Sequence, residues 1–129
     1  MHIIIGKENV ENLNLEDKYT VLELDTFKIA NDTKTVTAYC VVENIPINDL
    51  PKVESMRELH ANLLTNYRLK DWNYCNQALD YLVGFWGQEL DTYYQTLRDR
   101  IAQYAEKDPG DAWDWVIEKQ STSHHTDPT

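Results

Sequence analysis

The chain has 129 residues, 22 of them acidic and 12 basic, giving a formal charge of −10 and a pI near 4.7. That length suits one domain with a single core, and 42% hydrophobic residues supply enough apolar surface to fold without metal or disulfide staples. The acidic balance opposes attraction to phosphate backbones and anionic lipid, so nucleic acid and membrane are not expected partners.

Two cysteines, Cys40 and Cys75, cannot build a disulfide framework, and neither has a Cys-x-x-Cys or Cys/His companion. They read as buried thiols in a reducing compartment. The opening Met-His-Ile-Ile-Ile-Gly lacks the basic start and long apolar stretch of a signal peptide. No run approaches the roughly 18 apolar residues of a membrane helix. A cytoplasmic location is the expectation.

In chain order, residues 2–6 form a short apolar run closed by Gly6, which predicts a strand buried on both faces. Residues 8–18 are polar apart from Val10, Leu13 and Leu15 and read as a long connection. Residues 19–27 alternate, with Leu22 and Leu24 on one face. Residues 34–43 place Val36, Ala38, Cys40 and Val42 on one face. The Asn31-Asp32 pair between these runs tolerates turn conformations, so a small antiparallel sheet with a hairpin is predicted over 1–43.

Pro46 and Pro51 end the β-rich part, and the apolar period changes from two to 3.6. Val53, Met56, Leu59, Leu63 and Tyr67 form a first helical stripe. Asp71 then caps a second helix bearing Trp72, Cys75, Leu79, Leu82 and Trp86. Gly84 and Gly87 bracket the break before a third, with Leu90, Tyr93, Leu97, Ile101 and Tyr104. Asp108-Pro109-Gly110-Asp111 stops that helix, and the aromatic segment 111–119 is expected to dock back on the body as a final strand or extended segment. The whole is an α+β domain over 1–120, with 51–106 helical and 121–129 a disordered polar tail.

No phosphate-binding glycine loop and no nucleophile elbow occurs, and no cofactor is expected. His124, His125 and Asp127 cluster in the tail, where nothing holds ligands at fixed distances, so no metal site is expected. His60 borders the first stripe with Glu54, Glu58 and Asp71 nearby; a hydrogen-bonded boundary histidine accounts for it more simply than an acid/base pair. Cys75 falls on an apolar face, which suits packing and not nucleophilic attack. The many Tyr and Trp exceed what three helices can enclose, and side chains of that kind anchor protein contacts.

The run Tyr67-Arg68-Leu69-Lys70-Asp71-Trp72, followed by Ala78, Asp91, Arg98, Tyr104, Pro109, Trp113-Asp114, Val116 and Lys119, resembles the C-terminal tail of bacterial class III adenylate and guanylate cyclases. The resemblance covers about residues 59–119 and implies a tetratricopeptide-like helical hairpin used for packing or interaction. Trp115 stands where that pattern has glycine. Residues 1–50 are too few for the catalytic domain, so no cyclase activity is carried over. In size and acidity the chain also resembles small proteins of marine tailed phages, a likeness that rests on no motif.

Three functions are then open. The first is a non-enzymatic, self-associating protein-interaction module with Trp86, Tyr94, Trp113 and Trp115 as its surface and a protein or second copy as partner. The second is a small ligand-binding protein or hydrolase with His60, Tyr67, Asp71 and Tyr94 around a pocket between sheet and helices. The third, an acidic mimic of nucleic acid, has the net charge behind it.

Overall fold

A computed structural model describes residues 2–29, 33–43 and 49–119. The Asn31-Asp32 turn, Pro46 and the tail with His124, His125 and Asp127 lie outside the described residues. Four strands form one sheet: β1 (His2–Ile5), β2 (Thr20–Ile29), β3 (Thr35–Val42) and β4 (Val116–Lys119), in the order β1-β3-β2-β4. β2 and β3 pair antiparallel, as the alternating apolar runs predict, and β1 adds antiparallel to β3. β4 runs parallel to β2, so the sheet is mixed rather than purely antiparallel. The chain returns to β2 through three long helices, and a crossover of that kind can bring a strand in parallel.

The fold is α+β, with α3 (Leu50–Arg68), α4 (Trp72–Leu82) and α5 (Gln88–Glu106) packed on one face of the sheet. Leu22, Cys40 and Val42 from the sheet meet Val53, Leu63, Cys75, Leu79, Leu82, Leu97 and Ile101 from the helices in one core. Pro51 lies in the first turn of α3, where its missing N–H costs nothing. The Asp71 carboxylate accepts the Tyr74 N–H at 3.1 Å and caps α4. Between α4 and α5 the glycines Gly84 (φ +89°) and Gly87 (φ +137°) take backbone conformations that a Cβ disfavours.

Two expectations are corrected. Residues 8–18 are not an unstructured connection: α1 (Lys7–Asn12) and α2 (Leu15–Lys18) form there, linked through Asn14 in the left-handed region at φ 52°. Val10 is buried beneath α1, and one apolar residue suffices to seat a helix this short. The first strand is not buried on both faces, because β1 is an edge and Ile3 and Ile5 are half-exposed.

The segment after α5 docks as expected. Lys70, at the left-handed turn that ends α3, reaches Asp108 Oδ1 at 2.8 Å and the Gly110 carbonyl at 2.9 Å. The Trp113 indole N–H donates to the Arg68 carbonyl, one of the last acceptors of α3. Its ring lies 5.4 Å from Tyr67, 5.0 Å from Tyr104 and 6.2 Å from Trp72. Tyr67, Trp72, Tyr104 and Trp113 thus meet in one aromatic cluster, with the spacing and tilts that ring quadrupoles favour.

Candidate functional site

β4 covers β2 from Thr26 onward, so the preceding stretch of β2 has a strand on one side alone. α3 closes the other side. His60 is buried, and its Nε2 lies 2.6 Å from the Glu23 carbonyl, to which it donates. Nδ1 is then the acceptor, and it takes the Tyr94 O–H at 2.9 Å. Both ring nitrogens are engaged, and burial pushes the imidazole pKa down. A neutral ring with no free nitrogen is a staple between β2, α3 and α5, not a proton shuttle.

A cleft of about 320 Å³ opens beside this staple, between α3, α2 and the two inner strands β2 and β3. Glu16, Glu23, Glu58, Arg57, Arg68 and Tyr39 line it. Its charges are largely consumed internally: Arg68 bonds the Glu23 carboxylate, and Arg57 holds Glu54 across one helical turn at 2.6 Å. Burial and then the Glu23 charge raise the Tyr39 pKa. None of these groups is poised as nucleophile or base. Among the described residues no group of three His, Cys, Asp or Glu could hold a metal ion.

Of the four pocket residues expected from sequence, His60 and Tyr94 come together, but as packed partners. Tyr67 is buried in the aromatic cluster, and Asp71 serves as the α4 cap. Among the described residues, the cleft above does not join the four. Of the expected contact surface, Trp86 and Tyr94 are buried in the core, Trp113 is half-buried, and Trp115 is exposed at 37%. Helix-face spacing had put Trp86 on the apolar side of the second helix; α4 ends at Leu82, and the following turn carries that ring inward, 4.8 Å from Phe85.

The β1 edge exposes two apolar side chains that the expected surface residues did not include. Gly6 N–H bonds the Thr37 carbonyl at 2.9 Å, so the alternation of an antiparallel ladder turns the N–H and C=O of Ile3 and Ile5 away from β3. Asn9 Nδ2 takes one lone pair of the Ile5 carbonyl at 2.6 Å. Ile3 stands opposite Cys40 and Ile5 opposite Ala38, which puts both side chains on the helix-covered face. They remain 50% and 52% exposed because the helices stop short of this edge. The strand carries no lysine, proline or bulge of the kind that protects edges. The signal for it in the sequence was the three consecutive isoleucines, read there as burial within the chain.

Comparison with protein-family models, with curated proteins and with solved structures returned no match. Among the described residues no helix is long and apolar enough to cross a membrane.

Proposed function

We propose that the protein is a non-enzymatic interaction module that self-associates through β1. The observation that carries this is the pair of half-exposed isoleucines, Ile3 and Ile5, on a strand whose outer edge pairs with no other strand among the described residues. The two are equidistant from Ile4 and on the same face. A two-fold axis through Ile4 therefore pairs β1 with β1 of a second copy, setting Ile3 of each against Ile5 of the other. Each copy's Ile3 N–H then meets the Ile5 carbonyl opposite, which keeps one lone pair beside Asn9. The result is one eight-stranded sheet with both apolar side chains covered. The resemblance of the helical half to cyclase tails is consistent with a packing role, and the internally paired charges of the cleft give no competing chemistry.

Light scattering over a range of concentration and salt tests this. With −10 on each copy, association is expected to tighten as salt screens the repulsion. Ile5→Lys, which keeps the fold by circular dichroism, is expected to give a monomer. A wild-type monomer at every salt and protein concentration would overturn the reading.

A further inference from the structure

The sheet breaks register between Glu23 and Thr26, so Leu24 and Asp25 have no cross-strand partner in β3. Beneath this bulge lies a cavity of about 10 Å³, whose walls include Asp25, Thr26, Arg68, Tyr67, Tyr93 and Trp115. Tyr67 and Tyr93 both line it, their hydroxyls are buried, and neither hydroxyl makes a hydrogen bond of good geometry. Arg100 acts on Tyr67, but a guanidinium can only donate, so the phenol proton still lacks an acceptor. Two buried O–H donors left unmade are costly, and native proteins seldom leave them so.

The cavity has the volume of about one water molecule and no more. Its charges are already balanced: Asp25 takes both prongs of the Arg100 guanidinium and Arg68 bonds the Glu23 carboxylate, so nothing there calls for an ion. Each Asp25 oxygen accepts one bond from Arg100 and keeps a second lone-pair site. A neutral molecule that accepts two hydrogen bonds and donates back to a carboxylate fits this set, and water does so.

We propose that the cavity is a binding site for a single internal water, which accepts from the Tyr67 and Tyr93 hydroxyls and donates to the Asp25 carboxylate. Trp115 forms the outer wall. Its backbone sits at φ 56°, a conformation uncommon for a tryptophan, and its ring stacks 5.4 Å from the Arg68 guanidinium. The strained turn holds the ring over the site, and the water ties the β2 bulge to α3 and α5.

A high-resolution crystal structure of the unaltered protein tests the site directly. Density for one water is expected at about 2.8 Å from both hydroxyls. In solution, oxygen-17 relaxation dispersion should count one more long-lived water in the wild type than in the Tyr67→Phe/Tyr93→Phe variant. An empty cavity, or hydroxyls bonded straight to Asp25 with no water between, overturns the proposal. So does an equal count of long-lived waters in the two proteins. Should the double variant fail to fold, the wild-type density decides alone.

Discussion

Arg100 on α5 and Asp25 on β2, 75 residues apart, meet as a two-pronged fork with Nη1–Oδ1 at 2.8 Å and Nη2–Oδ2 at 2.9 Å. The side chains are 20% and 12% exposed, so both charges have left most of their water. Burial alone would lower the arginine's pKa, but the hydrogen bonds and charge of Asp25 hold the guanidinium firmly protonated. The pair binds the third helix to the sheet at the bulge.

Removing one partner strands the other. Arg100→Met is expected to cost about 3 kcal/mol, whereas the Asp25→Asn/Arg100→Met double variant costs less than the sum of the two single changes. Urea denaturation of the four proteins measures this. Additive single and double effects would show that the fork contributes nothing as a pair.

His60 predicts a pH dependence. Its folded pKa lies below the ordinary 6.5 because burial penalises the charged ring. As pH falls below 6.5, the unfolded chain takes up a proton that the folded protein does not. Stability therefore falls with pH in that window, by at most about 1.4 kcal/mol for each pH unit. The urea midpoint should be lower at about pH 5.5 than at about pH 7.5, and His60→Gln should flatten the difference.

Asp71 works as a cap, not as a ligand group. Asp71→Ala frees the Tyr74 N–H and should lower stability by about 1 kcal/mol. Asp71→Asn, which keeps an accepting oxygen, should lose much less. Thermal melts of the two variants distinguish them.

The thiols should be silent in the native state. Burial pushes Cys40 up to about 11 and Cys75 up to about 12, so neither forms thiolate near neutrality. A chromogenic disulfide reagent at about pH 8 is expected to label neither cysteine until denaturant is added, and then both. Rapid labelling of the native protein would contradict the packing of both sites.

Much of the architecture was legible before any coordinate. The change of apolar rhythm after Pro51, the Asp71 cap and the Gly84 and Gly87 break are local signals, each decided by a few neighbouring residues, and α3, α4 and α5 lie where they point. Alternation placed β2 and β3, although the bulge after Glu23 leaves no mark in the residue pattern. α1 and α2 were missed because a single buried side chain, Val10, gives no periodicity to read.

The site was far less legible. Trp86 and Tyr94 have the composition of a contact surface and the location of a core. Isoleucine at positions 3, 4 and 5 looks the same whether its strand ends up central or at an edge. Likewise nothing local tells His60 that its partners will be Tyr94, 34 residues on, and a carbonyl 37 residues back.

By itself, then, the amino-acid order determined where the three main helices and the β2 and β3 strands form, because propensity, capping and periodicity act over one or two turns of chain. Tertiary structure alone decided which strand was left at the rim, which aromatic rings were enclosed, and which acid met which base. Those outcomes depend on how far each helix reaches across the sheet, and that distance is set by packing among residues remote in sequence.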